Sequence, residues 1–274
     1  MMTEPTKRKG ARCINDIPPE TLEQLNAGKL ETANLVEWLA VDRYRLLQQV
    51  LPKLGLRGLV KPTLGQLAKP GELKQTQIAP AIAAALLPAV KSSANREEII
   101  EKLSAHPSDL VRSWAAYLIG LDEELKLAQK LILIRRFAAD SHFGVREEAW
   151  FAVRASIDRE LGVAIKLLAK WAKDKNENVR RFASESTRPR GVWCKHIEAL
   201  KVHPELGLPI LEPLRSDPSK YVRDSVANWI NDASKTRPDW AKEVCVRWRE
   251  MSQTKETEYI VNKALRTIQK GTGK

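Results

Sequence analysis

The sequence has little cysteine, little histidine, no strand-forming pattern and no long apolar run, and each shortage excludes a class. Three cysteines in 274 residues, Cys13, Cys194 and Cys245, have no metal-ligand spacing and cannot all pair within one chain. They fit a reducing cytosol. The four histidines (His106, His142, His196, His203) form no ligand cluster and no HxxxH or HExxH motif, so neither a metal nor a cofactor is expected. Alternation of period two and Asn-Gly or Asp-Gly turns are missing, which leaves an all-α chain. The most apolar stretch, Ile78 to Val90, is 13 residues long and holds Pro80 and Pro88, too short to span a bilayer. The N-terminus begins with charged residues, so no secretory signal and no membrane association are expected.

Acidic residues are also in deficit. Against 34 of them stand 46 lysines and arginines, a net charge of +12 and a pI near 9.6. The first 16 residues carry only +2 of this, so the folded body itself is basic and points to a polyanionic partner.

The chain does contain a repeat. A turn residue is followed by a Val-Arg pair and then a small residue opening a helix: His106-Pro107…Val111-Arg112…Ala115, Asp140…Val145-Arg146…Ala149, Asp174…Val179-Arg180…Ala183 and Asp217…Val222-Arg223…Val226. The valines lie 34, 34 and 43 residues apart, and a weaker copy, Ile260-Val261…Ala264, follows 38 residues later. Such spacing predicts stacked helical hairpins, none of which buries its apolar face alone. The expected fold is an α-solenoid of HEAT-like repeats, C-shaped with a basic concave face.

Residues 1–16 are polar and aperiodic and read as a disordered basic tail; 17–94 form an N-terminal helical region, and 95–274 a repeat array continuous with it. Within the array helices are predicted at roughly 96–104, 108–120, 122–138, 143–156, 158–173, 177–187, 194–202, 205–214, 219–234, 238–251 and 256–270. The long interval contains Arg188-Pro189-Arg190-Gly191, which stops a helix and inserts a turn, and insertions in arrays tend to fall on the binding face.

With each Val as a core position, the neighbouring stripe of the helix reads Glu147, Trp150, Arg154; Arg181, Ser184, Arg188; and Asp224, Asn228, Asn231. These residues are polar or aromatic where a core stripe is aliphatic. The recurring Arg112, Arg146, Arg180 and Arg223 fit an inter-repeat ladder with Asp140, Asp174 and Asp217 better than they fit ligand contact. Arg181, Arg188, Arg190 and Lys195 do not recur and suit phosphate. Of the eight tryptophans, Trp38, Trp171, Trp229, Trp240 and Trp248 read as packing. Trp150 and Trp193, and less strongly Trp114, are candidates to meet a ligand. Glu147 and Glu148 read either as solvated charges or as partners of Arg146 and Arg154.

The runs RRFASESTRPR (180–190) and SVANWINDASK (225–235) resemble the RRxASEGxRPR and SVANxLNDxxK stretches of the AlkC branch of the AlkC/AlkD superfamily of HEAT-like-repeat DNA alkylation repair proteins. Thr236-Arg237-Pro238-Asp239-Trp240 resembles the KTNPEW segment of the AlkD branch. The resemblance covers roughly residues 95–270. It implies a DNA glycosylase that binds duplex DNA, alkylated where it acts, and releases N3- or N7-alkylated purines without extruding the base; a monomer is expected. Such a cationic purine is a good leaving group, so the protein needs chiefly an aromatic face and a carboxylate for an oxocarbenium-like sugar.

Carried over, Trp150 falls where the AlkD-like helix has a DNA-facing Trp. Four residues on, where that branch has its catalytic Asp, this chain has Arg154. The AlkC-branch helix SEFAIR matches its Arg to Arg154 and its Glu to Trp150, so the resemblance leaves Glu147 or Glu148 as the carboxylate, with Trp150 and Trp193 against the lesion. Arg154, Arg181, Arg188, Arg190, Lys195, Asn228, Asn231 and Lys235 are the expected DNA contacts, Arg181 at the position of a backbone-contacting Arg and Asn228 at that of a second DNA-facing Trp. Two alternatives remain: a non-catalytic DNA-binding relative lacking the active carboxylate, and a HEAT-type scaffold for acidic proteins.

Overall fold

The computed structural model describes residues 8–67, 69 and 71–271. Among them all regular structure is helical: α1 (Pro19–Asn26), α2 (Leu35–Ala40), α3 (Arg43–Lys53), α4 (Arg57–Gln66), α5 (Gln75–Ser92), α6 (Arg96–Ser104), α7 (Asp109–Leu121), α8 (Leu127–Ala138), α9 (Phe143–Arg159), α10 (Leu161–Trp171), α11 (Glu177–Glu185), α12 (Glu198–Val202), α13 (Leu208–Leu211), α14 (Lys220–Ser234), α15 (Pro238–Met251), α16 (Lys255–Ala264) and α17 (Arg266–Gly271). No described helix is long and apolar enough to cross a membrane.

The repeat marks the helices that carry the core. Val111, Val145, Val179, Val222 and Ile260, which takes the Val slot of the fifth copy, are all buried, as are Ala115, Ala149, Ala183, Val226 and Ala264. A buried β-branched residue with a small one a turn later lets neighbouring hairpins approach closely.

The turn before three of these helices repeats as well. The side chains of His106, Asp174 and Asp217 each accept the backbone N–H two residues on, from Ser108, Asn176 and Ser219. This local bond reverses the chain and opens the helix. His106 does this with a neutral ring: burial, then Arg112 and Lys53, push its pKa down to about 4.

The recurring arginine folds back on the same turn. Arg112 donates to the carbonyls of His106 and Pro107, Arg180 to those of Asp174 and Lys175, and Arg223 to those of Asp217 and Pro218; Arg146 donates to that of Ser141. The expected ladder to aspartate is formed at Arg180, which reaches Asp217 at 2.6 and 3.0 Å. Arg112 instead takes Glu31, and Arg223 lies 5.4 Å from the centre of the Tyr259 ring. Fastening the turn is thus the common task of these arginines, and the aspartate rung is one instance.

The chain divides into two compact units. The first comprises residues 1–124 and 141–152. Here α7 packs against α5 and α6, and α3 against α1 and α4. Part of the segment expected to be a disordered tail is tied down: Arg8 donates to both carboxylate oxygens of Glu37 at 2.6 Å, and Ile14–Asp16 forms a short 3-10 helix. The pair holds because Glu37 is buried and its charge requires a partner. Residues 1–7 of that segment lie outside the described residues.

The second unit comprises residues 125–140 and 153–274. In it α11, α14 and α16 pack in succession, with α8 and α10 against α11 and α15 against α14 and α16. The predicted helix at 205–214 is a broken series of short turns around α13, because Pro204, Pro209 and Pro213 interrupt the hydrogen-bond ladder.

Candidate functional site

In the first unit the candidates sit on α9. Glu147 and Trp150, three residues apart, share a helix face, and Trp150 Nε1–H donates to Glu147 Oε2 at 2.8 Å. Trp150 is 3% exposed and its ring stacks on Phe151 at 3.8 Å. It is buried where the sequence suggested a ligand-facing position, while Glu147 keeps part of its surface open. Trp114, the weaker candidate, is fully buried and belongs to the core.

Glu148 points the other way along the helix circumference. It is buried and accepts the Tyr117 hydroxyl at 2.6 Å, and burial, only partly opposed by Tyr117 and Arg43, raises its pKa to about 7. The buried Arg43 guanidinium lies 4.0 Å over the Trp38 ring, donates to the Trp38 carbonyl, and has its own pKa lowered to about 10 by desolvation. Glu148 is therefore an interior carboxyl, and of the two candidate carboxylates Glu147 is the accessible one. Tyr117 and Arg43 leave no local signal in the sequence, because they lie 31 and more positions from Glu148.

In the second unit the expected DNA-contacting arginines are mostly engaged. Arg188 donates through Nε to Asp232 at 2.9 Å, reaches it through Nη2 at 2.7 Å, and meets Glu185 at 2.8 Å. Its side chain is 11% exposed. Against the expectation of a phosphate contact, its charge is spent inside the fold. Arg181 lies 4.2 Å over the Tyr221 ring and 3.6 Å from Glu185. Burial alone would raise the Glu185 pKa, but Arg181 and Arg188 hold it below the usual range. Arg190 donates to the Asp232 carbonyl, and Lys235 lies 3.4 Å from the Asp232 carboxylate.

Arg154 is likewise corrected from a DNA contact to an internal clamp. Buried, it donates to three backbone carbonyls: Nε to Lys195 at 3.1 Å, Nη1 to Ser186 at 2.9 Å and Nη2 to Arg188 at 2.7 Å. Desolvation lowers its pKa. The loop it holds carries Trp193, which is 73% exposed and has φ +63°. For a large side chain that backbone conformation costs roughly 1–3 kcal/mol and requires surrounding structure to enforce it. Lys195, 86% exposed, lies 3.8 Å from Asp158.

Asn231 is buried and joins α14 to the next helices through the Ala264 carbonyl and Thr267, both at 2.9 Å, so it is structural. Asn228 accepts from Arg266 at 2.9 Å. A second cluster went unread in the sequence. Asp224 accepts from Lys220, Tyr259 and Lys263, and despite burial these partners hold its pKa at about 2. Among the described residues no group of three or more His, Cys, Asp or Glu is placed to hold a metal ion.

The buried Val-small register, the self-fastened turns and the stacked hairpins define a helical-repeat protein of HEAT-like type. Over residues 148–265 the chain matches the family described as DNA alkylation repair enzyme, which bears out the resemblance read from the two motif runs. Over 120 residues it is 46% identical to the uncharacterized protein YhaZ of Bacillus subtilis, an alignment covering 44% of this chain and 33% of that protein. The chain thus spans about a third of the length of that relative. The same fold is found in the Pseudomonas fluorescens alkylpurine DNA glycosylase AlkC bound to DNA containing an abasic-site analog, at TM-score 0.66 and 22% identity, covering 94% of this chain and 65% of that one. It is found again in AlkD2 of Streptococcus mutans, at TM-score 0.58 and 23% identity, covering 76% and 96%.

Proposed function

We propose that this protein is a DNA-binding HEAT-like repeat protein of alkylation repair, and that it acts in the cytosol as a monomeric DNA glycosylase on N3- or N7-alkylated purines in duplex DNA. The observation that carries the reading is the Glu147–Trp150 pair, a carboxylate and an indole fixed to each other by a 2.8 Å hydrogen bond, Glu147 one residue before the family match and Trp150 within it. The net charge of +12 and the family supply the polyanionic partner.

The chemistry asks little of the protein. The C1′–N bond breaks with its electron pair moving onto the cationic purine, which leaves neutral, and the sugar becomes oxocarbenium-like. A carboxylate held ready beside that charge stabilises it without reorganisation, and Trp150, buried and stacked on Phe151, serves by holding Glu147 in place. Water then bonds to C1′ and gives its proton to the Glu147 carboxylate as general base. Glu148 has no part in this, because it is buried against Tyr117.

One observation favours the non-catalytic alternative: Arg154 stands where the AlkD-like helix has its carboxylate, and its hydrogen bonds are committed to the backbone. Incubation with duplex DNA containing N7-methylguanine or N3-methyladenine separates the two. Free base in the supernatant supports the glycosylase. Tight, salt-sensitive binding without release makes the protein a DNA-binding relative, and absence of binding removes both.

A further inference from the structure

Between α11 and α12 the chain forms a tip whose features are hard to reconcile with folding alone. Trp193 places a large apolar side chain in solvent and adopts a left-handed backbone that aromatic residues rarely occupy. Val192 beside it is exposed as well, and Arg190 and Lys195 flank the pair with positive charge. Neither the strain nor the exposure stabilises the fold. The loop nonetheless keeps its shape, because the buried Arg154 holds the carbonyls of Ser186, Arg188 and Lys195 and the Ile197 N–H closes onto the Pro189 carbonyl at 3.1 Å. Gly191 leaves room at the turn: a Cβ there would displace Cys194 Sγ and stand 3.4 Å from the Arg154 guanidinium carbon. Strained backbone that its surroundings over-determine, with an apolar side chain presented outward, is a pattern of ligand-contacting sites.

We propose that this tip recognises a gap in the base stack. The Trp193 indole enters duplex DNA where a base is missing and stacks on the neighbouring bases, Lys195 and Arg190 lie toward the flanking phosphates, and Arg154 is the positioning residue that keeps the indole presented. The proposal rests on the DNA reading above and adds to it the form of DNA preferred. Comparison of costs selects the gap over the intact duplex. Inserting a wedge between stacked bases requires unstacking them, and that cost is least where the stack is already broken. One indole stacking on a base strengthens binding by about 5- to 150-fold, the equivalent of about 1–3 kcal/mol, which is too little to open an intact step at a profit. A preorganised side chain loses little conformational freedom on insertion.

Binding of the full chain to two otherwise identical duplexes tests this, one intact and one carrying a tetrahydrofuran abasic analog beside 2-aminopurine. The expected result is binding to the gapped duplex roughly 5- to 150-fold tighter, with quenching of the 2-aminopurine as the indole stacks on it. Trp193→Ala should bind both duplexes equally and leave the fluorophore bright, while Trp193→Phe should keep most of the preference. Removing Arg154 risks unfolding, so Gly191→Ala serves as the loop variant: it should lose the preference while melting within a few degrees of the parent. Equal affinity of the parent for the two duplexes, or an undiminished preference in Trp193→Ala, overturns the wedge. Failure to bind either duplex overturns the DNA reading itself, which is a distinguishable result.

Discussion

Arg188 and Asp232 are 44 residues apart and meet at 2.7 Å, one repeat interval joined to the next by a nearly buried ion pair. Removing Asp232 leaves Arg188 with Glu185, itself shared with Arg181, so the cost lies at the lower end of the roughly 3–5 kcal/mol of a stranded buried charge. Asp232→Ala should therefore lower the urea midpoint by an amount equivalent to about 3 kcal/mol. A loss below about 1 kcal/mol would show that the pair is solvated and that Arg188 is available to a ligand after all.

The same pair decides which cations are left for the proposed DNA partner. If Lys195 meets a phosphate, Lys195→Gln should reduce the slope of log affinity against log salt by about 0.9, one counterion's worth. Arg188→Gln should leave that slope unchanged, because its charge is neutralised within the protein. A slope that falls with Arg188 and not with Lys195 reverses the assignment.

Glu148 predicts a pH effect. Its carboxyl titrates at about 7 in the fold, against an ordinary value of 4.5, because burial disfavours the anion. The folded state thus holds the proton more tightly than the unfolded chain. The contribution of Glu148 is complete below pH 4.5 and is lost as pH rises through 7, in total about 3 kcal/mol at 1.36 kcal/mol per unit. Glu148→Gln retains a partner for the Tyr117 hydroxyl without the charge. The stability difference, Glu148→Gln minus parent, should rise between pH 5 and pH 8 in chemical denaturation; a flat difference contradicts the buried assignment.

Gly120 of α7 faces α9, and a methyl group built there would overlap the Ala152 carbonyl oxygen. Alanine normally gains about 0.5–1 kcal/mol over glycine inside a helix. Overpacking against backbone costs about 1–3 kcal/mol and should win, so Gly120→Ala should melt lower than the parent. A higher melting temperature would mean that the two helices are not in close contact at this point.

The fold was legible because repetition multiplies a weak signal. One Val-Arg pair means little, but four at intervals of 34, 34 and 43 residues, each with a small residue a turn later, predict hairpins and their core slots together. The predicted helices at 96–104 and 238–251 match α6 and α15 to the residue. The site was less legible, since a periodic stripe identifies a helix face without showing what packs on it. Arg188 looked unpaired because no acidic residue lies between it and Lys195. Its partner is one repeat on, at Asp232, and displacement by the repeat interval was a usable signal. Arg154 left no such trace, because backbone carbonyls as acceptors are invisible in a sequence. The division between Glu147 and Glu148 depends on Tyr117, a contact set by the packing of the first unit.

Single-turnover release of N3-methyladenine or N7-methylguanine from duplex DNA measures directly whether Glu147 beside Trp150 cleaves a glycosidic bond. The parent should release free base well above the spontaneous rate, Glu147→Gln should lose about 100-fold or more, as removal of one preorganised charge does, and Glu148→Gln should keep most of the rate at pH 7. No release by the parent, or equal release by Glu147→Gln, would show that Glu147 does not cleave the bond.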